Sequence, residues 1–170
     1  MKNTKISLFG ALLIAGGMFV AGCTDPCADV TCVNGECVEG SCVCDAGFEG
    51  TDCGTAINAK FSGSYTLSES CTPTGAATYT ITVSPSSTAN DQANFTGLWE
   101  EPQATVTGHI DADGLGFHID RTALGASGFD IECTNGTISA DGGTITMTYS
   151  IYATGGTTAV DVCVANLTKQ

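Results

Sequence analysis

The chain holds two histidines, and both fall in one short stretch, His109-Ile-Asp111-Ala-Asp113-Gly-Leu-Gly-Phe-His118-Ile-Asp120. Imidazoles and carboxylates at hairpin spacing are residue types that ligate transition metals. With Asp113-Gly114 as a two-residue hairpin turn, Ala112 opposes Leu115, and counting outward sets His109 opposite His118. Ile110 then meets Phe117 on the other, core-facing side. Directly opposed β-carbons lie about 5 Å apart, so both imidazoles can reach one metal ion, with Asp120 two residues along the same face as a third ligand. The plainer expectation is two solvated histidines on the outer face of a hairpin and no metal, because incidental surface pairs cost little. As an EF-hand loop the stretch fails, since His109 stands where the first calcium carboxylate belongs and the loop sits between strands. Nucleophile-elbow, phosphate-loop, dinucleotide and zinc-protease patterns are absent from the sequence. With so few acid–base and nucleophile pairings, the expectation is a protein that is not an enzyme and takes no cofactor. Trp99-Glu100-Glu101-Pro102 falls at a turn, and its lone Trp is expected to cap the core rather than stand exposed for stacking on a sugar.

Ten cysteines are far too many for a reduced compartment unless they hold metal. Six of them, Cys27, Cys32, Cys37, Cys42, Cys44 and Cys53, are separated by gaps of four, four, four, one and eight residues. Phe48 and a few valines are the only large apolar side chains among them, so the segment cannot bury a core and must be stapled. Gly47 and Gly50 free the backbone to turn around Phe48. Six cysteines allow 15 pairings, and spacing alone does not choose among them. The run Cys42-Val-Cys44-Asp-Ala-Gly47-Phe48-Glu-Gly50-Thr-Asp-Cys53 resembles the C-x-C-x-x-G-aromatic…C ending of EGF-like domains. That resemblance implies the pairs Cys27–Cys37, Cys32–Cys42 and Cys44–Cys53. A zinc cluster is the competing reading, disfavoured by an oxidising site and by the lack of a nearby histidine. The lead-in Thr24-Asp25-Pro26 and the Cys37–Cys42 stretch lack the acidic and hydroxylation consensus of calcium-binding EGF-like modules, so no calcium is expected.

The N-terminus reads as an address. Lys2 and Lys5 precede Ile6–Val20, an unbroken run of apolar and small residues. As a helix that run spans about 22 Å, short of a hydrocarbon core of roughly 30 Å, which suits a signal-peptide core better than a membrane span. It ends in Val20-Ala21-Gly22-Cys23, which resembles the lipobox of bacterial lipoproteins. The resemblance implies cleavage before Cys23 and acylation of that cysteine, anchoring the chain to a membrane of the bacterial cell envelope, with the outer membrane or cell surface expected. Removal of the leader takes two of the five basic residues and none of the 18 acidic ones, so the net charge moves from −13 to 3 − 18 = −15. Such a surface repels phosphate backbones and excludes nucleic acid as a partner.

Beyond Gly54 the composition shifts to Thr, Ser and Gly with apolar residues at every second position. The alternation recurs in about eight runs, starting near Phe61, Ala77, Ala93, Gln103, Leu115, Gly128, Thr144 and Ala159. Val160, Val162 and Val164 read as the apolar face of the last. Turns are marked by Asp113-Gly114, Asp141-Gly142-Gly143 and Gly155-Gly156. Asn135-Gly136 is expected to bulge a strand, since the inward phase of Phe129 and Ile131 slips by one at Ile138. The pattern predicts an all-β fold, a closed eight-stranded antiparallel up-and-down barrel or, failing that, a sandwich. The opening Phe61-Ser-Gly63-Ser-Tyr65-Thr-Leu67 and the closing Cys163-Val-Ala-Asn-Leu-Thr-Lys169 resemble the lipocalin-like domains of bacterial surface lipoproteins. In such a barrel the first and last strands close the sheet, so Cys71, placed after the end of the first strand, is expected to bridge Cys163. Cys133, with a strand between it and Cys163 and still further from Cys71, is expected as a buried thiol. The expected division is a signal peptide over 1–22, a lipidated N-terminus over 23–26, an EGF-like module over 27–54 and a barrel over 57–170. The expected role is a non-enzymatic surface lipoprotein presenting a barrel for binding or adhesion to a protein or glycan; the alternative is a carrier holding a small apolar ligand inside the barrel.

Overall fold

The structure, a computed structural model, describes residues 25–170. Cys23 and the expected signal segment lie outside the described residues. The described residues are all-β apart from short 3-10 turns. Its N-terminal segment is disulfide-rich, with two small hairpins: β1 (Gly35–Val38) on β2 (Ser41–Cys44), and β3 (Phe48–Glu49) on β4 (Thr55–Ala56). Bridges join Cys27 to Cys37, Cys32 to Cys42 and Cys44 to Cys53. Of these six cysteines only Cys53 is fully buried. The bridges stand in for a core that the segment is too short to build.

A 3-10 turn over Ile57–Phe61 leads into the barrel, so Phe61 precedes the first strand rather than opening it. The strands are β5 (Gly63–Thr72), β6 (Gly75–Pro85), β7 (Gln92–Thr96), β8 (Thr105–Ile110), β9 (Gly116–Ala123), β10 (Phe129–Ile138), β11 (Thr144–Ala153) and β12 (Ala159–Lys169). Each pairs antiparallel with its neighbour in sequence, and β12 pairs with β5 to close the barrel. Closure removes the free sheet edges that would otherwise template aggregation. The bulge in β10 lies at Thr134, where the register slips between Cys133 and Asn135, and it carries Gly136 and Ile138 to the inside. A β-carbon on Gly136 would overlap the Phe117 ring, and one on Gly108 would press on Phe95. Those two bare positions let Phe117 stack on Phe95 at 5.1 Å and meet Phe61 edge-on at 5.7 Å.

Three expectations need correction. Cys71 does not follow the first strand but lies within β5, directly opposite Cys163 on β12. The β8–β9 connection is wider than a two-residue turn: Gly114 N–H donates to Asp111 C=O, and Asp111 N–H to Gly116 C=O. Asp113 forces this shape, because its carboxylate accepts from the Leu115 and Gly116 amides instead of leaving Ala112 to pair with Leu115. Finally, Val160, Val162 and Val164 face outward, 44, 43 and 54% exposed. Cys71 shares the inward phase of Tyr65 and Leu67, so Cys163, which bridges it from directly opposite, points inward too, and strict alternation then turns the valines to solvent and Asp161 to the interior.

The disulfide-rich segment docks on the barrel end that holds the aromatic cluster. Lys60 and Glu49 form an ion pair at 2.7 Å, and Ile57 N–H donates to Gly47 C=O at 3.1 Å. Asn58, buried, donates its side-chain amide to Ala89 and Gln92 carbonyls at 3.0 and 2.9 Å, holding the β6–β7 loop beneath that segment.

Candidate functional site

His109 and His118 are paired across β8 and β9, and their rings stack at 5.3 Å and 20°. Asp120 reaches both, its two oxygens each 3.9 Å from one Nε2 atom, and Asp111 lies 3.9 Å from His118 Nδ1. A tetrahedral ion bound at about 2.0–2.1 Å would need its donors roughly 3.3 Å apart and aimed at one point. Parallel rings with wider donor spacing make a solvated surface pair with acidic flanks, not a preassembled metal centre.

The opposite end of the barrel, away from the disulfide-rich segment, gathers a different set. On β5 the inward positions run Tyr65, Leu67, Glu69, Cys71; on β12 they run Asp161, Cys163, Ala165, Leu167. Two acids therefore face the interior, Glu69 at 6% and Asp161 at 1% exposure. Glu69 is held by two phenols, Tyr79 O–H donating to Oε1 at 3.0 Å and Tyr149 O–H to Oε2. Burial pushes the Glu69 carboxyl above the usual range; the two phenol hydrogen bonds oppose this, and the Glu100 and Asp161 charges add to it. Burial likewise raises both tyrosines, so they remain donors at neutral pH. Asp161 Oδ2 accepts from Thr74 Oγ1 and from the Trp99 indole N–H at 3.3 Å, while Oδ1 has no hydrogen-bond partner among the described residues.

The β7–β8 loop folds over this end. Leu98 plugs it, fully buried, and Trp99 packs edge-on against Phe129 at 5.0 Å. Trp99 thus caps the core, with its edge latched to Asp161. Holding it there puts Trp99 and Glu100 at φ 53° and 56°. Left-handed backbone costs a non-glycine residue roughly 1–2 kcal/mol, and persists only where surrounding contacts impose it. Between this loop and the β5–β6 hairpin lies a recess of about 330 Å³, lined by Glu69, Thr74, Ala77, Trp99, Glu100 and Glu101 among others. No basic residue lines it. Lys60 is engaged by Glu49, Arg121 forks onto Asp130 at 3.0–3.1 Å outside the barrel, and Lys169 lies beside Tyr65 at the other end.

Cys71 and Cys163 bridge beside Glu69, and the three form the one cluster of metal-ligating residue types grouped within 4.8 Å among the described residues. The bridge spends both sulfurs, leaving a single carboxylate, which is no metal site. Cys133 is a free, buried thiol whose pKa burial raises, which keeps it protonated and inert. Glu69, Asp161 and the two phenols were not among the residues singled out from the sequence. Their signal was parity: Glu69 shares the inward phase of Tyr65 and Leu67, and Asp161 that of Cys163. No protein-family model matches the chain, and no curated protein matches it significantly.

Proposed function

We propose that this protein is a non-enzymatic lipoprotein of the bacterial cell surface, in which a lipid on Cys23 and an EGF-like stalk present a lipocalin-like barrel for binding. One observation supports surface binding over transport of an apolar ligand inside the barrel. The interior is filled by the protein's own side chains, with Tyr65, Tyr149, Phe61, Phe95, Phe117, Leu67 and Ile131 all fully buried. An eight-stranded barrel so filled is a packed core rather than a calyx. What remains for a partner is the outer wall and the recessed end. The wall carries in-register hydroxyl rows, such as Thr144, Thr168, Thr66 and Thr80 across four strands, which suit hydrogen bonding to a glycan or protein. The stapled segment docks against the aromatic end, so the recess lies at the far end of the barrel from it.

Metabolic labelling with a palmitate analogue, combined with protease shaving of intact cells, tests this reading. Label on the wild type, none on Cys23→Ser, and loss of the barrel on shaving are expected. Label on Cys23→Ser, or a wild-type barrel that intact cells protect from protease, contradicts it.

A further inference from the structure

The outer wall of the barrel divides by charge. β9 and β10 carry Asp120, Arg121, Asp130 and Glu132. The outward side chains of β11, β12, β5 and β6 carry none until Lys169, where β12 ends, although the chain has 18 acidic residues. Serine, threonine and asparagine stand there instead, around the exposed Val160, Val162 and Val164. Covering a charge with a partner is costly, whereas a hydroxyl both donates and accepts and needs no counter-ion. A wall kept clear of charge in so acidic a chain therefore suits a neutral, hydroxyl-rich partner. Two shallow grooves meet at Val164, one of about 280 Å³ over Thr137, Thr146 and Thr148, the other of about 330 Å³ over Ser68, Ser70 and Thr78. Glu69 also borders the second, but its carboxylate is turned inward to the two phenols. The chain itself indicates what these hydroxyls hold. The Gln170 side-chain amide lies across β5 and β6 and donates to Thr66 Oγ1 and Thr80 Oγ1 at 3.1 and 3.2 Å. One row further along the same two strands, Ser68 and Thr78 present an equivalent pair of hydroxyls 3.4 Å apart, and there the groove lies over them.

We propose that this wall binds a neutral glycan bearing N-acetyl groups. An acetamide N–H donates to Ser68 and Thr78 as the Gln170 amide does to Thr66 and Thr80, while the sugar ring packs its C–H face on Val164. The proposal rests on reading the barrel as a binding module. Acidic glycans are repelled by a chain of net charge −13. A folded protein fits less well, because the wall is the convex side of a closed eight-stranded barrel. A stable protein interface takes about 800 Å² from each partner, and a globular partner meets a convex wall only along a narrow strip. A glycan chain follows the curve. Among the described residues no aromatic side chain borders either groove, so stacking adds nothing and each sugar is held weakly.

Backbone amide NMR shifts of the isotope-labelled full-length protein locate weak binding directly. The protein is titrated with tri-N-acetylchitotriose, with cellotriose, which has the same linkage without acetamides, and with N-acetyl-trialanine amide, an uncharged peptide. Saturable shifts confined to β11, β12, β5 and β6 are expected with the acetylated sugar, with a dissociation constant of about 1 mM or tighter. Cellotriose, lacking the amide donor, should bind about threefold or more weakly. Val164→Asp, which sets a charge beneath the ring, should weaken the acetylated sugar by about tenfold. Should that variant not fold, Ser68→Ala should weaken it by about threefold. The proposal is overturned by the absence of saturation below about 10 mM, by shifts centred elsewhere on the barrel, or by cellotriose binding equally well. Tighter binding of the peptide than of the sugar, or unchanged binding by the variants, overturns it too. None of these outcomes touches acylation of Cys23, so failure here leaves the surface-lipoprotein reading standing, and failure there leaves this one.

Discussion

At the barrel end facing the disulfide-rich segment, Phe61, Phe95 and Phe117 interlock over two glycines, and the Tyr65 hydroxyl is satisfied by the Phe61 and Gly142 carbonyls at 3.1 and 3.0 Å. At the other end the same inward positions carry Glu69 and Asp161, one carboxylate oxygen is unpartnered, and the loop that covers them holds two residues in left-handed backbone. The first arrangement is what stability alone selects: apolar volume filled, polar atoms paired. The second forgoes stability in several places at once. Departures of that kind gather where a protein binds something, because preorganised polar groups are costly until a ligand completes them.

The contrast can be broken first at the aromatic end. Phe117→Ala deletes the ring that joins the other two, and should cost about 3–5 kcal/mol in urea melts. A loss under about 1 kcal/mol would mean the ring is not part of a rigid core.

Next in size is the bridge at the polar end. Cys71–Cys163 closes a loop of 92 residues, and replacing both by Ser should cost roughly 3–4 kcal/mol through the unfolded state. Fluorescence-monitored unfolding under non-reducing conditions measures it. A barrel as stable without the bridge would show that β12–β5 pairing alone closes the sheet.

Glu69 gives a smaller, pH-dependent effect. Burial raises its pKa above 4.5, so the folded protein holds this proton more tightly than the unfolded chain. The stability linked to that proton is complete below the unfolded pKa and is lost as pH rises through the raised one. Glu69→Gln removes the dependence, so the variant should gain on the wild type as pH rises from about 4 to 7. Parallel pH profiles of the two proteins would contradict the raised pKa.

The smallest effects belong to the outer face. Zinc or copper should leave the melting temperature unchanged, since His109 and His118 stack rather than converge; a metal-dependent rise abolished by His118→Ala would reverse that conclusion. Val162→Thr, outward on β12, should change stability by no more than about 0.5 kcal/mol.

The fold was legible because its signals are local. Alternation marked each strand, Gly-containing turns marked the ends, and Asn135-Gly136 carried the slip in phase that becomes the β10 bulge. The polar end was not legible for the same reason in reverse. Alternation is read by following apolar residues, so Val160, Val162 and Val164 drew the inward phase to themselves. Only the partner of Cys163, ninety-two residues away, decides that Asp161 faces in. The left-handed backbone at Trp99 is likewise imposed by Asp161 and Phe129, neither of them near in sequence.

The contrast between an end packed for stability and an end whose buried acids forgo it is tested most directly by the double variant Glu69→Gln, Asp161→Asn. Both changes keep shape while removing the buried charges. The unfolding free energy at neutral pH, from urea denaturation, should equal or exceed that of the wild type. A loss of about 3 kcal/mol or more, matching Phe117→Ala, would show that the acids hold the barrel together and contradict the account.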